Sequence, residues 1–195
     1  MGALMTWSET SIARALARQT FNRKYLVVVP NCNWTGHECD LLVVTENLRI
    51  IDVEIKISRA DLKADAKKDK WWHRQYVGNP RTVETLDQGG RLQSRRRVYA
   101  QQFELREWPR QVWKHYYALP AEIWTDELLD CLGSPASGVL LLTNEDGQVK
   151  ARVRRPATPN RDAKVISPGA ALDIARLASL RMWDAYERLE QRGAR

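Results

Sequence analysis

Cysteine is scarce in this chain. Its 195 residues hold three, Cys32, Cys39 and Cys131, odd in number and without CxxC spacing. That speaks against a disulfide framework or a zinc knuckle and favours a reducing compartment, so the expected location is cytoplasmic. No apolar run approaches the roughly 18 residues needed to cross a bilayer, so no membrane partner is expected. The opening stretch MGALMTWSETSIARAL lacks a basic leader ahead of an apolar core and does not read as a secretory signal. Gly2 and Thr6 fit a myristoylation pattern that is short enough to arise by chance. The strings GxGxxG, Walker A, HExxH and GxSxG are all missing. Their absence counts against nucleotide-cofactor, zinc-protease and α/β-hydrolase chemistry.

The composition is that of a soluble globular protein, 44% hydrophobic and 28% charged. Lys and Arg number 31 against 24 Asp and Glu, a formal balance of +7. That excess favours a polyanionic partner. The length fits one α/β domain spanning 1–195, with room for an insertion.

Residues 8–20 read as a helix, with Ser8 placed to cap it and Glu9 near its start. Residues 24–29 form a strand candidate that Pro30-Asn31 should break. Two more strand candidates, 38–45 and 48–57, are separated by Glu46-Asn47 and should pair as a hairpin. Ser58 begins a second helix through SRADLKADAKKDKWWHRQY, mostly polar and basic toward its end. Residues 78–112 contain Gly78, Pro80, Gly89-Gly90 and the arginine-rich RLQSRRR, and read as a basic insertion or mobile arm. Trp108 and Trp113 should dock its end on the body. Strand candidates follow at 114–119, 138–143 and 148–154, with a short helix at 121–132. A final amphipathic helix runs over about 169–192, with Leu172, Leu177, Leu180 and Trp183 on or near one face.

The chemistry concentrates in residues 38–70. Strand alternation puts Ile51, Val53, Ile55 and Ile57 on one side and Asp52, Glu54 and Lys56 on the other. From alternation alone, an exposed sheet face with a cross-strand ion pair is the simpler reading of Glu54 and Lys56. Hairpin pairing can bring Asp40 within reach of Glu54, and that neighbour, the helix order and the SRADLKAD string together reverse the reading. Two carboxylates on adjacent strands offer hard oxygen ligands for Mg²⁺ or Mn²⁺. A lysine two residues on can orient a water or stabilise charge on a phosphate. Glu38 and Asp52 flank the site as supporting or solvated charges. His37, His73 and His115 are too scattered in sequence to read as a ligand set. The eight tryptophans are expected to pack.

Asp40 followed by Glu54-Ile55-Lys56 resembles the signature of the PD-(D/E)XK nuclease superfamily. The longer run ECDLLVV with VEIKISRADLKADAKKDKW is similar to its MmcB-like branch, associated with DNA repair and phage. HYYALP and GVLLLT also fit, so the resemblance covers most of the chain from about residue 8. It implies a restriction-endonuclease-like αβββαβ core: a central mixed sheet flanked by helices. It also implies a metal site of Asp40 and Glu54, with Glu9 as an additional acid and Lys56 as the catalytic lysine. Cys39 stands where the motif name has Pro. The expected activity is metal-dependent DNA hydrolysis. The alternative is a non-cutting module on the same fold that binds DNA or a protein partner. Lys67, Lys68, Arg91, Arg95, Arg96 and Arg97 are the candidate DNA contacts, with a solvated helix face or loop as the plainer reading. A homodimer is compatible but not demanded.

Overall fold

A computed structural model describes residues 7–21, 25–145 and 148–193. Gly2 and Thr6 lie outside them. The architecture is α/β, as the sequence implies. A six-stranded mixed sheet runs in the order β1-β2-β3-β6-β7-β8, and β4 and β5 form a separate two-stranded ribbon. The strands are β1 Tyr25–Cys32, β2 Cys39–Thr45, β3 Ile50–Ile55, β4 Trp72–Leu86, β5 Leu92–Leu105, β6 Val112–Pro120, β7 Gly138–Glu145 and β8 Gln148–Arg155. The helices are α1 Glu9–Ala15, α2 Arg59–Asp65 and α3 Pro168–Gly193. The β1-β2-β3 meander and the β7-β8 pair are antiparallel, while β6 lies parallel to both β3 and β7. No helix among the described residues is long and apolar enough to cross a membrane.

Local chemistry sets the helix ends. Ser8 accepts from the Ser11 backbone and Ser11 reciprocates, a capping box that opens α1. Ser58 caps α2 by accepting from Asp61 N. β1 continues through Pro30 and Asn31 to Cys32 instead of breaking, because among the described residues it is the outer strand of the sheet and pairs with β2 alone. A proline lacking an N–H is tolerated on such an edge.

The sheet is covered on both faces. Ile12 and Leu16 of α1 pack on Leu41, Val43, Ile51, Val53 and Ile55. The opposite face carries two apolar clusters. Ile174 and Ala171 of α3 meet Val29, Leu42, Val44 and Ile50 in one of them. Leu62, Trp71, Tyr117, Leu119 and Leu141 build the other.

Four expectations are corrected here. α2 ends at Asp65, and a 3-10 turn at Asp69–Trp71 leads straight into β4. The arm is therefore an ordered ribbon that begins at Trp72, ahead of residue 78. Residues 121–132 form two 3-10 segments, Ala121–Ile123 and Asp126–Cys131, rather than one helix. On α3 the packed side chains are Ala171 and Ile174, whereas Leu172, Leu177, Leu180 and Trp183 are exposed.

Candidate metal centre

The covered second face changes the status of β3. Asp52 and Glu54 do not look onto solvent; both are fully buried, as is Lys56. Parallel pairing sets Asp52 beside His115 and Glu54 beside Tyr117 on β6. α2 and the turn after it close over this row. A polar seam thus runs beside the apolar clusters under α2 and α3.

Two carboxylates and three ammonium groups meet in the seam. Lys56 Nζ lies 2.8 Å from Glu54 Oε2 and 3.2 Å from Asp65 Oδ1. Lys68 Nζ lies 2.8 Å from Asp65 Oδ1 and 3.3 Å from Glu54 Oε2. Lys70 Nζ lies 2.7 Å from Glu54 Oε1 and 3.4 Å from Asp65 Oδ2. Asp65 also accepts from the Tyr117 hydroxyl at 2.6 Å and from Trp71 Nε1 at 3.3 Å. Burial alone would push Asp65 up, but Lys70 and Lys56 outweigh it and hold the carboxyl far below its usual range. Burial likewise disfavours the Lys56 charge, yet Glu54 and Asp65 hold its ammonium above the ordinary lysine value. An ionic cluster this deep costs desolvation energy that its mutual attraction repays only with good geometry. Such a cluster is a functional-site candidate on physical grounds.

Asp40 stands at the rim. The β2–β3 ladder reaches its last pair at Leu41–Val53. Just beyond, the Asp40 side chain accepts the Ile55 N–H through Oδ2 at 2.7 Å. Its carboxyl is raised to about 6, first by burial and then by the charge of Glu54, with Glu9 adding to the effect and Lys56 opposing it. Asp40, Glu54, Glu9 and Lys56 therefore share one electrostatic neighbourhood. Glu9, exposed at the start of α1, lines a cavity of about 400 Å³ with Asp40, Arg14, Arg181 and Arg188.

The donor set suits a hard divalent cation in type, with carboxylates on two strands, although Glu54 Oε1 already faces the Lys70 ammonium at 2.7 Å. An ion at Glu54 would compete with Lys68 and Lys70 for its oxygens. Glu9, Asp40 and Glu54 do not draw their oxygens within 4.8 Å of one another; among the described residues that closeness is reached by His37, Cys39 and Asp52.

The remaining candidates separate. Lys67 and Lys68 are both exposed, but the half-exposed Lys68 pairs with Glu54 and Asp65. Arg91, Arg95, Arg96 and Arg97 are all exposed on the ribbon, and Arg95 Nε lies 3.3 Å from Glu84. Glu38 is exposed. Asp65, Lys70, His115 and Tyr117 escaped the sequence reading as site residues. Asp65 lies inside the SRADLKAD string, and its position about two helical turns after Ser58 is the available signal.

No family model and no curated protein matches this chain. Among solved structures it is similar to the SPO1766 protein of unknown function from Silicibacter pomeroyi, at a TM-score of 0.52 and 17% identity over 98% of this chain and 97% of that one. The likeness is one of fold alone.

Proposed function

We propose that the protein is a metal-dependent DNA nuclease whose centre is Asp40, Glu54 and Lys56, with Glu9 as an outer acid. The observation that carries this reading is the state of Asp40. It accepts the Ile55 N–H at the end of the β2–β3 ladder beside Glu54, and burial together with that neighbouring carboxylate raises its carboxyl to about 6, as in crowded acids that a cation would relieve. The resemblance of EIKISRADLKAD to the nuclease motif points the same way.

In this reading Asp40 and Glu54 hold Mg²⁺ or Mn²⁺, which supplies polarisation of the scissile phosphate when bound. Lys56, kept protonated by Glu54 and Asp65, stabilises charge developing on the phosphate. Asp65 anchors Lys56, Lys68 and Lys70 and is itself fixed by Tyr117 and Trp71. The β4–β5 ribbon grips the DNA. It spans roughly 45 Å at about 3.3 Å per residue, and Trp72 to Leu105 carries six arginines against three acids. A two-stranded ribbon fits the DNA major groove.

A second reading has its own support. Both oxygens of Glu54 already lie in ion pairs with lysines. A seam neutralised in this way suits a DNA- or protein-binding module that does not cut.

Incubation with supercoiled, linear, branched and single-stranded DNA separates the two, in Mg²⁺, Mn²⁺ or EDTA. The nuclease reading expects cleavage that needs the metal and is lost in Asp40→Asn. Tight, salt-sensitive binding with no cleavage of any substrate favours the module.

A further inference from the structure

We propose that His37, Cys39, Asp52 and His115 form a second metal site, specific for a borderline-soft ion such as Zn²⁺. The site is built from separate parts of the chain. His37 sits in the turn before β2, Cys39 opens β2, Asp52 is central in β3, and His115 pairs with Asp52 from β6. His37 Nε2 lies 2.9 Å from Asp52 Oδ2 and 3.7 Å from Cys39 Sγ, and the three donor atoms all lie within 4.8 Å of one another. A tetrahedral zinc with bonds of about 2.0 Å to nitrogen or oxygen and about 2.3 Å to sulfur sets its ligands roughly 3.3–3.6 Å apart. The observed spacings bracket that edge. His115 Nε2 lies 3.9 Å from Asp52 Oδ2 and outside the three donors that already lie within 4.8 Å of one another, so it completes four ligands only by moving in when the ion binds.

Two further observations point to a ligand. Asp52 is wholly buried, and its Oδ1 accepts no hydrogen bond. Leaving a buried carboxylate oxygen unsatisfied is costly, and a cation removes that cost. His115 is oriented from behind: Nδ1 lies 2.9 Å from Ser137 Oγ. With the proton on Nδ1, the bond to Ser137 leaves the Nε2 lone pair facing Asp52, the usual outer support of a metal-bound histidine. Thr35 Oγ1 is 3.5 Å from Cys39 Sγ, a hydrogen-bond partner for the sulfur. Sulfur and imidazole donors select zinc over Mg²⁺.

Entry is through a cavity of about 190 Å³ lined by Thr35, Gly36, His37, Asp69, Lys70 and Arg110. The Lys70 ammonium, 3.5 Å from His115 Nε2, is the competing cation. It has Glu54 at 2.7 Å to retain it when the ion enters. Four protein ligands leave no open position, so the ion is structural: it clasps the 33–38 turn to β3 and β6. This inference does not depend on the nuclease reading.

The test loads the full-length metal-free protein with Co²⁺ as a spectroscopic probe and with Zn²⁺ for stoichiometry. The expected result is intense tetrahedral visible bands, a near-ultraviolet thiolate-to-cobalt band and one zinc per chain. Cys39→Ser removes the thiolate band. His37→Gln, at a half-buried position that spares the fold, abolishes stoichiometric zinc. Ser137→Ala weakens zinc binding by about 10- to 100-fold. Asp40→Asn leaves the tetrahedral bands and the thiolate band in place. Octahedral bands with no thiolate band, a thiolate band that survives Cys39→Ser, or a thiolate band lost in Asp40→Asn would overturn the proposal.

Discussion

Replacing Asp40 by Asn should stabilise the metal-free protein, and only at higher pH. The carboxyl titrates near 6 in the folded chain against an ordinary value of 3.8. The folded state therefore holds its proton more tightly than the unfolded state. Below the unfolded value both states are protonated, and the favourable contribution of the neutral carboxyl is fully present. It is lost as pH rises through 6, where the anion forms beside Glu54. Asn mimics the neutral form and can still accept the Ile55 N–H. Two pKa units correspond to about 3 kcal/mol, and discounting for solvent screening at the rim leaves about 1–2 kcal/mol. At this chain length that is a gain of about 3–6 °C in Tm. Thermal unfolding in EDTA, followed by circular dichroism from about pH 3 to pH 8, should show the variant matching wild type at the acid end and exceeding it at the alkaline end. Saturating Mg²⁺ should erase the gap by stabilising wild type alone. A constant offset at every pH, or a variant less stable at pH 8, refutes the reasoning.

Other perturbations have distinct signatures. Asp65→Asn breaks the buried lysine pairs and should cost about 3–5 kcal/mol in denaturant unfolding; a loss below about 1 kcal/mol would mean the seam is wetter than described. Asp65 and Asp52 are both held below their ordinary range by neighbouring cations, in spite of burial. Their contribution is present above the unfolded value of 3.8 and lost as pH falls below it, so double Asn substitution should flatten the acid limb of a stability–pH profile. Gly133→Ala would drive a Cβ to 2.2 Å from the buried Trp71 ring. Overpacking of about 1–3 kcal/mol should follow, and an unchanged unfolding midpoint would contradict that packing. Replacing residues 73–104 by a short turn should leave Tm nearly unchanged, because both ribbon strands are exposed, yet it should weaken DNA binding and reduce its salt dependence. Retained affinity would place the DNA surface elsewhere.

Much of the sheet was legible because its signals are local. Ser8 ahead of an apolar-periodic run marks α1, and the close spacing of two β-branched runs marks the β2–β3 hairpin. Asp40, Glu54 and Lys56 could be singled out by type and spacing. The burial of Glu54 and Lys56 could not, since it depends on α2 folding back over β3. Helical periodicity carried past Asp65 would leave Lys70 in solvent; the chain instead turns into a 3-10 segment that buries its ammonium against Glu54, while Lys68 pairs with Asp65 from a half-exposed position. The ribbon has no core-facing side, so its strands lack the alternation that reveals one. On α3 the packed positions are the small Ala171 and Ala178 with Ile174, and larger leucines on the other side dominated the pattern. His37 and His115 are 78 positions apart in sequence; the β2–β3 pairing brings the first to Asp52 and the β3–β6 pairing brings the second.

Counting bound Mn²⁺ by electron paramagnetic resonance tests the central claim most directly, comparing wild type, Asp40→Asn and Glu54→Gln in the presence of DNA. The account predicts saturable Mn²⁺ binding in wild type and its loss in both variants, with fold retained in Asp40→Asn. Equal Mn²⁺ uptake by wild type and Asp40→Asn, or none by wild type, would contradict it.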